Sequence, residues 1–245
     1  MTYRSVLCTL TGAIAAAISM GTAHASYVGV GWVVPDAIAG AATLANANAQ
    51  AGNNDNVTFT VTGLNFSSFA NPETNTGTNN ANFTISSFLN SQGSLTGSPV
   101  FSGAASADLP LFENGKGMLF QFTGVANFVN GMQFQMTHDD GAQFYVGCTS
   151  SACTTAELLF DHPQPTGPVT NTFTYTGPTG NLAFTFIYGE CCSAPGVFQT
   201  TLVPAVTTFK TDPTPEPGGV VFFGTMAAGL FGLIRRKRAQ VNRLG

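Results

Sequence analysis

The sequence predicts an all-β fold, a single β-sandwich of jelly-roll type, set between two terminal targeting segments. Three observations predict it. Apolar and polar residues alternate in many short stretches, the period of half-buried strands. Gly, Asn and Pro punctuate those stretches at sandwich-like spacing. After residue 51, no long amphipathic helical pattern follows.

In chain order, the N-terminus has the parts of a secretory signal, residues 1–25. Arg4 supplies the positive flank, Val6 to Ile18 a short apolar run, and Ala23-His24-Ala25 the small-x-small pattern that signal peptidase accepts, with cleavage before Ser26. The run is too short for a membrane span. Residues 26–209 follow as the β domain. Ala37 to Ala51 is rich in Ala and Asn and reads as a helix or an irregular lead-in. Strands are expected at Val57 to Thr62, Phe83 to Leu89, Met118 to Thr123, Met132 to Thr137 and Ala142 to Val146. Later ones fall at Leu158 to Phe160, Thr172 to Thr176, Leu182 to Tyr188 and Phe198 to Val203. Asn130-Gly131 and Asp140-Gly141 are hairpin turn pairs.

The proline-rich residues 210–217 read as an extended linker. Gly218 to Ile234 is an uncharged apolar run broken only by Thr225, and seventeen helical residues rise roughly 26 Å, enough for a bilayer core. The basic cluster Arg235-Arg236-Lys237-Arg238, within residues 235–245, stays on the cytoplasmic side and places the β domain outside the cytoplasm.

Charge narrows the function classes. Residues 26–209 carry ten acids against one cation, Lys116, a formal charge of −9, whereas the whole chain is only −4 because most Lys and Arg lie in the two ends. Such a field repels phosphate backbones and excludes nucleic-acid binding, while it attracts metal cations. Four cysteines remain after signal removal: Cys148, Cys153, Cys191 and Cys192, an even number suited to an oxidising compartment. Adjacent cysteines bridge each other poorly, because the bond closes an eight-membered ring. Two bridges from the Cys148/Cys153 loop to the Cys191-Cys192 pair are therefore expected, with a local Cys148–Cys153 bond as the alternative. Their spacing matches no zinc pattern.

No nucleophile elbow, zincin helix or phosphate loop occurs in the chain, so no catalytic residue is assigned and a binding protein is expected. His162 lies in a proline-rich loop and reads as solvated. The one local constellation with chemistry is His138-Asp139-Asp140-Gly141, at a tight connection between two strands. By themselves these residues leave two readings, a turn whose Asp side chains accept backbone N–H bonds, or a cation site.

Two family resemblances add to this. Pro215-Glu216-Pro217, the apolar run and the basic cluster, in that order, resemble the PEP-CTERM sorting tail, which implies recognition and cutting by an exosortase after transient anchoring in the inner membrane. Phe120-Gln121-Phe122-Thr123-Gly124, Asn130-Gly131-Met132-Gln133-Phe134, His138 to Tyr145 and Phe186 to Glu190 resemble the protective-antigen-type domain, its fibro-slime branch above all, over residues 116–202. That resemblance implies a β-sandwich in which Asp139 and Asp140 hold a calcium ion that also binds sugar hydroxyls. Two adjacent carboxylates reach one ion only across an unusually bent backbone, for which a cis peptide is one device. His138 is expected to orient a carboxylate or cap the turn. The implied function is an exported cell-surface or matrix protein that binds extracellular polysaccharide. The alternative is a structural matrix component without a specific ligand.

Overall fold

The computed structural model describes residues 26–79, 82–102, 109–111, 113 and 115–202. The chain divides into two compact units, residues 1–207 and 208–245, and all described residues belong to the first. Ala23, Ala25, Pro215, Glu216, Pro217, Arg235, Arg236, Lys237, Arg238 and the span 218–234 lie outside the described residues. Among the described residues no helix is long and apolar enough to cross a membrane.

The elements run β1 (Tyr27–Pro35), α1 (Asp36–Ala39), α2 (Leu44–Ala49), β2 (Asn56–Val61), β3 (Asn65–Ser67), β4 (Phe69–Asn71), β5 (Thr76–Asn79), α3 (Ile85–Leu89) and β6 (Leu95–Phe101). They continue with β7 (Lys116–Phe128), β8 (Gln133–His138), β9 (Ala142–Val146), β10 (Leu158–His162), β11 (Val169–Thr174), β12 (Gly180–Glu190) and β13 (Val197–Thr200). A seven-stranded sheet in the order β10-β9-β12-β7-β1-β2-β6 faces a four-stranded sheet, β11-β8-β13-β3, and β4-β5 form a separate ribbon. All of these strand pairs are antiparallel, and the described residues form a mostly-β sandwich with three short α-helices.

Phenylalanine fills the space between the sheets. Phe122 of β7 stacks on Phe198 of β13 with ring centroids 5.5 Å apart, and on Phe66 of β3 at 5.6 Å. Phe128 of β7 meets Phe134 of β8 at 5.7 Å. Burying each such ring stabilises the fold by roughly 1.5–3 kcal/mol. A second, smaller cluster lies on the outer side of the large sheet, where α1 and α2 pack Ala39, Leu44 and Ala47 against Trp32, Leu119 and Ile187. Strands β7 and β12 are therefore buried on both faces near that end, which places polar groups there out of water.

Several expectations need correction. Strand β1 escapes alternation because its core-facing positions include Gly29 and Gly31. A side chain there would collide with the rings of Phe59 and Phe120, so glycine is what lets those rings lie over the strand. Phe83 to Leu89 is not a strand but the entry to α3. Thr84 caps it by accepting the Ser87 N–H at 3.1 Å, and Ile85, Phe88 and Leu89 fall on one helical face. Asn130-Gly131 and Asp140-Gly141 are not hairpin turns either. Each carries the chain from one sheet to the other, since β7 and β9 lie in the large sheet and β8 in the small one.

The disulfides also differ from the cross-linking expected. Cys148 pairs with Cys153, and Cys191 pairs with Cys192. Cys148 and Cys153 flank a short turn of 3-10 helix, Ser150–Ala152, that brings their Cα atoms to 5.1 Å, within ordinary bridging distance.

Candidate functional site

The β8–β9 crossing is where the sandwich buries its acids. Strand β8 ends at His138 in the small sheet, and Ala142 opens β9 in the large one, so Asp139, Asp140 and Gly141 must bridge the two layers. The Asp139 N–H donates to the Val197 carbonyl at 2.8 Å and the Asp140 N–H to the Thr166 carbonyl at 2.8 Å, tying the crossing to two neighbouring segments. The sharp bend comes from Asp140, whose φ of 61° is in the left-handed region that Asp tolerates better than most residues. The Asp139–Asp140 bond is not among the cis peptides, so the bend does not take the cis form considered above.

His138 caps this turn. Its Nδ1 lies 2.7 Å from the Asp140 carbonyl, to which it must donate, and its Nε2 then accepts from the Asn171 amide at 3.1 Å. Both ring nitrogens are thus satisfied in the neutral form. Burial pushes the imidazole pKa down, with His162 acting in the same direction and the Asp140 carbonyl opposing. His162 is not the solvated loop residue expected. It ends β10, its ring packs 5.1 Å from that of His138, and its Nδ1 is buried without a hydrogen-bond partner among the described residues.

Strand β12 brings a third acid to the crossing. Ala142 pairs with Tyr188, and the Gly189 N–H donates to the Gly141 carbonyl at 2.9 Å. Glu190 follows, fully buried, with one carboxylate oxygen accepting from the Tyr188 hydroxyl. Asp139 and Asp140 are only 5% and 6% exposed. The Cys191 N–H donates to Asp140 Oδ2 at 2.6 Å, but Asp139 Oδ2 and Glu190 Oε1 are buried without a hydrogen-bond partner among the described residues.

Electrostatics follow from that burial. Burial first, then the charge of Asp140, pushes the Asp139 carboxyl up to about 7. Burial pushes Asp140 up to about 6, against the pull of the Cys191 and Thr166 N–H groups, with Asp36 adding to the rise. Burial, then Asp140 and Asp139, raises Glu190 well above the usual carboxylate range, against the Tyr188 hydrogen bond. Among the described residues no Lys or Arg side chain offsets these acids. The single Lys of the domain, Lys116, pairs instead with Glu113 at 3.6 Å on the surface.

Two glycines make the crossing possible. A Cβ on Gly189 would run into the Ala39 carbonyl oxygen of α1, and one on Gly141 into the Pro163 carbonyl. Gly189→Ala is therefore expected to destabilise the protein by about 1–3 kcal/mol, the usual range for overpacking. Urea unfolding would read this as a lower midpoint at unchanged slope, and an unchanged midpoint would mean that α1 does not press on β12 there.

The three acids at this crossing offer carboxylate oxygens, the donor type that hard cations take. Among the described residues, no group of three or more His, Cys, Asp or Glu side chains converges closely enough to hold a metal. A cation at Asp139 and Asp140 would need backbone carbonyls and water for its other ligands. The sequence picked out His138, Asp139 and Asp140, and the fold brings these together. Glu190 was noted only as part of a family likeness, and its burial beside the Asp pair has no local sequence signal.

No protein-family model matches the chain, and no curated protein matches it. Among solved structures, it is similar to a PA14 sugar-binding domain from an RTX adhesin, with TM-score 0.44 and 17% identity over 74% of this chain and 91% of that one. It is also similar to the PA14 domain of the MpAFP antifreeze protein, with TM-score 0.37 and 17% identity over 74% of this chain and 83% of that one.

Proposed function

We propose that this is an exported cell-surface or matrix protein whose β-sandwich binds extracellular polysaccharide with the help of a calcium ion at Asp139 and Asp140. One observation carries the reading. Three buried acids, two of them with orphaned oxygens, have no Lys or Arg side chain to neutralise them among the described residues. Burying ionised carboxylates unpaired is prohibitively costly, so charge must be balanced from outside the chain by protons or by a bound cation. The oxygen donors favour calcium over a softer metal.

In this reading Asp139 and Asp140 hold the ion, with Asp140 kept in place by the Cys191 N–H and His138 holding the turn. Bound calcium would supply coordination positions that sugar hydroxyls can share. Glu190 stays protonated against Tyr188 as a neutral floor to the site. The residues serve binding, and no nucleophile or general acid–base pair is assigned.

Calorimetric titration of the exported protein tests this. Extracellular calcium sites commonly have Kd of about 10⁻⁴ to 10⁻³ M, so heat is expected at millimolar calcium. Asp139→Asn keeps the shape and removes the charge, and is expected to abolish calcium binding and calcium-dependent polysaccharide retention together. A flat trace for the unaltered protein at millimolar calcium would refute the site and favour the structural-component reading.

Delivery is the second half of the proposal. Signal peptidase would cut before Ser26, and an exosortase would cut near Pro215-Glu216-Pro217 after the 218–234 segment has engaged the inner membrane. Intact-mass measurement of the secreted protein is expected to show both ends missing. Retention of Arg235 to Arg238 in the mature form would exclude tail processing.

A further inference from the structure

The vicinal disulfide sits directly on the acid site, and its peptide groups face the acids. After Glu190 the chain turns through residues 191–196 into β13, with the Ser193 N–H closing onto the Cys191 carbonyl at 2.8 Å. Cys191 is buried and Cys192 exposed. The Cys191 N–H makes the 2.6 Å bond to Asp140 Oδ2, and the Cys192 N–H lies 3.5 Å from Asp36 Oδ1. Two successive N–H groups of the bridged pair therefore address two carboxylates on other elements, one in the β8–β9 crossing and one at the start of α1.

The Cys191–Cys192 bond controls where those groups point. The ring it closes contains both Cα atoms and the peptide between them, so ψ of Cys191 and φ of Cys192 cannot vary independently. Cys192 is held at φ 71°, a region L-residues seldom occupy. Cys191 is wedged as well. A Cβ on Gly117 of β7 would lie 3.1 Å from its Cα, and one on Gly40, just after α1, would lie 3.1 Å from its Sγ. Once the bond is opened, nothing covalent keeps Cys192 in the left-handed region, and the turn can relax only outward, because β7 and α1 block the inner side.

We propose that the Cys191–Cys192 disulfide is a reducible positioning element for the Asp140 carboxylate. Reduction by a dithiol transfers two electrons and two protons: the S–S bond breaks, two thiols form, and the dithiol becomes a disulfide. The exposed Cys192 is the sulfur that a reductant reaches. The relaxed turn withdraws the Cys191 N–H, and Asp140 loses the hydrogen bond that fixes it. The consequence for calcium affinity rests on the calcium reading given above. The loss of the hydrogen bond does not.

The test uses the exported protein before and after treatment with dithiothreitol, and after reoxidation. The Cys148→Ser/Cys153→Ser double variant removes the other bridge, so that only Cys191–Cys192 is reduced. Without calcium, amide hydrogen exchange at Cys191 is expected to speed up about tenfold on reduction and to return on reoxidation, in line with loss of a charge-assisted hydrogen bond. Calcium Kd is expected to rise about tenfold in the reduced form, and Cys191→Ser/Cys192→Ser is expected to reproduce both effects. Unchanged Cys191 exchange on reduction overturns the proposal. A flat calcium trace in the oxidised protein, with exchange still responding, refutes the calcium reading and leaves the positioning role intact.

Discussion

In the presence of a chelator, the protein is expected to unfold at a higher temperature at pH 6 than at pH 8. The folded Asp139 and Asp140 take up protons at about 7 and about 6, against an ordinary value of 3.8. The native state thus binds protons that the unfolded state has already released, so stability falls as pH rises through that window and is complete only below about pH 4. Glu190, raised further by burial, acts in the same direction. His138 acts in the opposite direction, because its depressed folded pKa means that stability is lost as pH falls below the ordinary imidazole value. Stopping at pH 6 holds that opposing contribution below about 1 kcal/mol, less than the acids supply. Between pH 8 and pH 6 the two Asp residues supply on the order of 2 kcal/mol, which moves Tm by about 4–8 °C in a domain of this size. Asp139→Asn, neutral at every pH, is expected to remove the Asp139 share of the difference and leave the Glu190 share in place. Saturating calcium is expected to narrow it by replacing the protons on Asp139 and Asp140 with a cation. A Tm that is equal at the two pH values, or lower at pH 6, would mean the acids are not buried as a group.

Phe122→Ala is expected to cost about 3–5 kcal/mol, the range for removing a buried aromatic ring. Phe122 is fully buried and meets four rings: Phe59 and Phe120 from the large sheet, Phe66 and Phe198 from the small one. Its removal opens a cavity where the layers touch, and the rigid strands on either side cannot collapse into it. Denaturant unfolding should show the loss as a lower midpoint with little change in slope, and Phe122→Leu should recover much of it. A cost below about 1 kcal/mol would show that the two sheets do not depend on each other at this point.

The sequence by itself determined the strand-rich character of the chain, because alternation survives wherever one face is buried and the other wet. Strands β2, β8 and β9 lie within a residue or so of their expected places for that reason. It also determined the charge imbalance and singled out His138, Asp139 and Asp140, since local spacing is enough to mark a polar turn between two apolar runs. Tertiary structure decided the rest. Strand β1 was hidden because its inward positions are glycines that make room for rings from β2 and β7, a packing relation between segments far apart in the chain. α3 was hidden because a capping Thr84 outweighs a short β-like pattern. The disulfide partners depended on loop paths that spacing does not encode. Above all, the site became a buried acid cluster only when β12 carried Glu190 beside the β8–β9 crossing and α1 closed over Gly189. Desolvation, the force that raises those carboxyls, depends on what covers a group, and coverage is a property of the folded layers.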